Sequence, residues 1–155
     1  MGMDVYGRKP KSEVGEYFRR NVWGWHPLWS YCENVHEDLV SSVEGGHYNS
    51  GDGLSAQKSV KLAKALKEDL RSGNALKYIE LRDKMLAELP DEDCTYCDED
   101  GNRTWSEGEN QVVKVCNACS GKKKIRPFET HYFLSVEDIR DFADFLENCG
   151  GFNIH

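Results

Sequence analysis

Apolar side chains recur at three- and four-residue steps in four stretches of the chain. In residues 27–43, Leu28, Cys32, Val35, Leu39 and Val43 share one side, while Glu33, Asn34, Glu37, Asp38 and Ser41 take the other. That is the pattern of an amphipathic helix. Pro27 suits its first position and Gly45-Gly46 ends it. Residues 55–72 repeat the pattern, with Ala56, Leu62, Ala63, Leu66 and Leu70 inward and Gly73 as a left-handed stop. Asp52 or Ser55 supplies the cap of this second helix. Asn74 caps a third over 75–89, with Leu76, Ile79, Leu86 and Leu89 inward, and the short link predicts an antiparallel helical hairpin. The fourth spans 136–148: Ser135 caps it, Ile139, Phe142, Ala143 and Leu146 form its buried stripe, and Gly150-Gly151 closes it.

Period-two stretches are fewer. Met3-Asp4-Val5-Tyr6 alternates as a short strand, broken by Gly7 and Pro10. Residues 13–20 predict a turn of helix that brings Tyr17 and Phe18 inward. Arg103-Thr104-Trp105 and Val112-Val113-Lys114-Val115 predict a hairpin around the turn at 106–110, and Thr130 to Leu134 reads as one more strand. The tail from Phe152 to His155 is expected to fold back on the body. Together these elements predict an α+β fold. About four helices form a body, with a small antiparallel sheet that includes a zinc-ribbon-like hairpin. A single domain spans 1–155, with a zinc-organised lobe at about 91–126.

A length of 155 residues is that of one ordinary domain with a real core. The net charge of −7 counts against a general nucleic-acid binder, since phosphate affinity comes from clustered Lys and Arg. No apolar run reaches the roughly twenty residues that span a bilayer. The opening residues lack the apolar core of an export signal, so a reducing cytoplasm is the expected compartment.

The cysteines carry the sharpest chemistry. Cys94-Thr-Tyr-Cys97 and Cys116-Asn-Ala-Cys119 are two Cys-x-x-Cys pairs at the separation that lets two tight turns present four thiolates to one ion. With sulfur in all four positions no place is left for water, so the expected ion is a structural zinc and no catalytic residue is assigned to it. A pair of redox or structural disulfides is one alternative, and a different metal or cluster is the other. Cys32 and Cys149 lie on apolar stripes and are expected to be buried, inert thiols. Acids bracket the first pair; Lys122, Lys123, Lys124 and Arg126 follow the second, and nearby cations suit a four-thiolate centre of charge about −2. Glycines follow both knuckles, at Gly101 and Gly121. In these knuckles alone the chain resembles the zinc regions of J-domain cochaperones, and no chaperone activity follows from so local a likeness. The opening Met1-Gly-Met-Asp-Val-Tyr-Gly7, the segment Gly46 to Leu54, the knuckles and the ending Phe145 to Phe152 together resemble a group of small prokaryotic and phage-borne proteins. That resemblance implies a bacterial host cell or a virus infecting one, and brings neither an activity nor catalytic residues.

Three functions stay open on the sequence. The first is a zinc-stabilised, non-enzymatic protein that binds a partner protein, such as a phage-borne accessory or counter-defence factor. The second is a small-molecule or nucleotide binder, with Trp23, Trp25 and Trp29 stacking on a base and His47, Asn49 and Asp52 in the glycine-rich loop near a small anion. The same indoles can equally be core. An acidic mimic of nucleic acid is a weaker form of binding protein. The third is an enzyme, with His26, His36, His47 and Asp52 as acid–base groups around His47 and Asp52, though no nucleophile motif accompanies them.

Overall fold

The computed structural model describes residues 2–155. It is an α+β protein with two compact units, one ending at Lys84 and resuming at Tyr132–His155, the other Met85–His131.

The larger unit begins with strand β1 (Gly2–Gly7), a 3-10 turn at Glu13–Gly15 and strand β2 (Tyr17–Asn21). Residues 17–20 are therefore extended where a helical turn is expected. In a strand neighbouring side chains point to opposite faces, so Phe18 is buried while Tyr17 stays in solvent. β1 is the middle strand, antiparallel to β2 on one side and to β7 (Phe152–Ile154) on the other, and Val5 pairs with both Phe18 and Ile154. The tail thus folds back as an edge strand.

Helix α1 (Val22–Val35) starts five residues earlier than its apolar stripe suggests, because the Asn21 side chain accepts from the Gly24 N–H and caps it. Pro27 is consequently inside the helix. Its missing N–H would strand the carbonyl of Trp23, which instead accepts from the N–H of Phe133 at 3.1 Å. The same bond accounts for the absent strand at 130–134: residues 128–131 form a 3-10 turn, and the Phe133 N–H is spent on α1. The helical stretch expected to reach 43 breaks at His36 and resumes as α2 (Glu37–Val40).

α3 (Ala56–Ser72) is capped by Ser55 and stopped by Gly73, whose φ of 80° is left-handed. It packs chiefly on α5 (Val136–Asn148) and does not fold back along α4 (Asn74–Ala87), so the expected hairpin is replaced by a tight corner. Ser135 and Asp138 form a reciprocal capping box on α5. Around these helices one apolar core gathers Val5, Phe18, Trp25, Trp29, Phe142, Phe145 and Phe152.

The smaller unit holds two separate pairs of strands. β3 (Glu92–Asp93) pairs with β6 (Lys124–Ile125), and β4 (Asn102–Glu107) with β5 (Asn110–Val115), which form the expected hairpin. Its buried cluster is Cys94, Cys116 and Cys119, with Cys97 and Ile125 packed against it. No helix among the described residues is long and apolar enough to cross a membrane.

Candidate metal centre

Each Cys-x-x-Cys pair sits on a backbone turn whose shape the local sequence permits. Gly101 and Gly121 adopt φ of 76° and 77°, and a side chain on Gly101 would strike the Gly121 carbonyl at 2.5 Å. The two turns can therefore nest against each other only with glycine at that contact. Backbone bonds lock them: Cys116 N–H to Gly101 O at 3.0 Å, Gly101 N–H to Asp98 O at 2.9 Å, and Cys94 N–H to Lys123 O at 2.8 Å.

The outcome is a cluster of four sulfurs, all within 4.8 Å of one another. Cys94 Sγ lies 3.9 Å from Cys116 Sγ, and Cys97 Sγ lies 3.7 Å from Cys119 Sγ. A tetrahedron with metal–sulfur bonds of about 2.3 Å has sulfur–sulfur edges of about 3.8 Å. A disulfide requires about 2.05 Å, so none of these thiols is paired. Donor type, number and spacing all suit one tetrahedral ion. Their acidities differ. Burial, then Cys119 and Cys94, push the Cys97 thiol up to about 12. Burial also works against Cys119, yet the Lys123 N–H and the neighbouring thiols donate to its sulfur and hold it down at about 7. A bound ion must displace the protons that the set still carries.

Two of the four basic residues after the second pair are engaged inside this lobe. Lys124 pairs with Asp93 at 2.6 Å, and Arg126 donates to Asp91 and to the Leu86 and Leu89 carbonyls. Beside the knuckles lies a cavity of about 590 Å³, walled by residues of both turns and by Phe128 and His131.

In the larger unit the candidate ligand residues fall into different places. Trp25 and Trp29 are completely buried, stacked at 5.7 Å with 12° between their planes. They are core, and their faces are closed to a base. Trp23 is half-buried against the ring of Tyr132. Asn49 is exposed. Asp52 accepts from the N–H groups of Gly45 at 3.0 Å and Gly53 at 2.8 Å, so it staples the glycine-rich loop and does not meet His47. Those bonds, Gly45 first, hold its carboxyl below the usual range.

His47 does meet a partner. Its Nδ1 is 2.9 Å from Nδ1 of His26, and its Nε2 is 2.9 Å from Glu33 Oε2. Glu33 is fixed in turn by the Trp29 indole N–H at 3.0 Å, and Trp25 holds the loop through the Gly46 carbonyl at 2.8 Å. A carboxylate only accepts, so His47 carries a proton on Nε2; with both rings neutral its Nδ1 then accepts from Nδ1 of His26. The bare Nε2 of His26 ends the chain. Burial first, and His47 second, lower the His26 pKa. His36 lies elsewhere: with Tyr31 it shares one oxygen of the buried Asp69, at 2.6 and 2.8 Å. Glu33 and Asp69 are the residues sequence reasoning missed. The one available signal was that Glu33 follows Trp29 by four residues, a single helical turn. Comparison with family models, curated proteins and solved structures finds no match to this chain.

Proposed function

We propose that the protein holds one structural zinc ion on Cys94, Cys97, Cys116 and Cys119 and acts without catalysis, by binding a partner protein through the lobe that the ion organises. The observation that carries this reading is the set of four buried or half-buried sulfurs at tetrahedral spacing, which leaves no position for substrate. Surface chemistry supports the second half. Tyr96, Val113, Val115 and Phe128 of the lobe are all more than half exposed and offer apolar surface for a partner to cover. Elemental analysis of the purified chain should give one zinc per molecule, and Cys116→Ser should remove both the ion and any partner retained by the wild type. Protein purified without bound metal after expression in zinc-replete medium would refute it.

A second reading has one observation in its favour. The Glu33–His47–His26 chain orients the bare nitrogen of His26 as a base. Hydrolysis of activated esters and phosphoesters, lost in His26→Gln, is the result that would move the conclusion toward an enzyme.

A further inference from the structure

The cavity beside the knuckles has a chemical bias. Glu92, Asp93, Tyr96, Arg126, Phe128 and His131 are among its walls, and about 590 Å³ is enough to enclose a long side chain. Tyr96 and Phe128 are 55% and 60% exposed, large rings left in water around a concave site. Of the lining residues only Arg126 is a strong cation, and its donors are taken by Asp91 and two backbone carbonyls. Asp93 is matched by Lys124, while Glu92, the other carboxylate in the cavity wall, is in no ion pair among the described residues. Across residues 85–131 ten carboxylates face six Lys and Arg, a net charge of −4, and four thiolates on a divalent ion add about −2. Aromatic rings in this lobe already hold one guanidinium: Arg103 lies 4.4 Å from the ring of Trp105 and 5.6 Å from that of Tyr96.

We infer that this cavity takes a Lys or Arg side chain from a basic segment of a partner protein. The rings of Tyr96 and Phe128 flank the cation and its alkyl stem, and Glu92 supplies the opposite charge. This deepens the partner-binding reading above and rests on it. A long cation with an apolar stem matches both properties of the walls, aromatic and negative, whereas an anion would meet the Glu92 carboxylate and the net negative charge of the four-thiolate centre.

The test is fluorescence anisotropy on the zinc-loaded full chain with three labelled probes: a decapeptide rich in Lys and Arg, its Asp- and Glu-rich counterpart, and a ten-nucleotide single-stranded DNA. The basic peptide should bind at least tenfold tighter than either other probe. Glu92→Lys and Phe128→Ala should each weaken it at least fivefold while the variants keep one zinc per chain. Phe128→Ala changes no charge, so its effect separates the cavity from general attraction to an acidic protein. Equal affinity for the two peptides, preference for the DNA, or wild-type affinity in both variants would overturn the inference. A chain that keeps its zinc and ignores the basic peptide refutes the cation site alone. A chain that never held metal refutes the reading beneath it.

Discussion

Stripping the metal should unfold the smaller unit and spare the larger. Among its described residues, 85–131 bury Cys94, Cys116, Cys119, Gly101 and Pro127 and no large apolar side chain. Ile125 packs on the cysteines but is only half-buried. Complete burial of an isoleucine stabilises by about 1.5–3 kcal/mol, whereas structural zinc on a small domain contributes about 10–16 kcal/mol. The metal term is larger by a factor of about five, and nothing else in the unit approaches it. Hydrogen exchange read by mass spectrometry, with and without a strong chelator, is the direct assay. Amides of β4 and β5 and those of Gly101 and Cys116 should lose protection on chelation, and a protease should then cut between 85 and 131. Amides of α3, α5 and β1, which surround the core of the larger unit, should keep theirs. Unchanged protection across 94–126 in chelator, with the ion shown to be gone, would refute the claim that the metal holds this lobe together.

Other outcomes follow from the larger unit. Gly46→Ala places a methyl group 1.9 Å from the Trp29 indole nitrogen; overpacking against so buried a ring should cost about 3 kcal/mol and lower Tm by roughly 10 °C, and most of that loss should disappear in a Trp29→Phe background. Asp69→Ala leaves the buried Tyr31 hydroxyl without its acceptor and removes the partner of His36, so urea denaturation should show a loss of about 2–3 kcal/mol, against about 1 kcal/mol for Tyr31→Phe. His26 has a folded pKa below its ordinary value of 6.5, so the unfolded chain binds more protons in that range and stability should fall as pH drops below about 6.5. Thermal melts between pH 8 and 5 should show a shallower slope in His26→Gln, and an identical slope would remove His26 as its cause.

How much of this was readable in the residues themselves depended on whether the deciding contact was local. Ser135 and its stripe delimit α5 correctly at Val136–Asn148, and Ser55 and Gly73 bound α3, because caps and periodicity act within a few residues. The knuckles were legible for the same reason: Cys-x-x-Cys and its glycine fit within one turn. Pro27 misled, since its usual place at the start of a helix depends on nothing accepting its debt, and here Phe133, over a hundred residues away, fills the gap at Trp23. Residues 17–20 became a strand because β1 was there to pair with them. The Glu33–His47–His26 chain joins a helix to a loop, a meeting that no spacing rule announces.

The near-absence of packed side chains in the metal lobe has an evolutionary consequence. A fold dictated by four sulfurs and two glycines leaves its remaining positions almost unconstrained by folding. A saturation library over 102–115 should therefore yield mostly folded molecules. Such a frame can change its surface by successive single substitutions without passing through an unfolded ancestor.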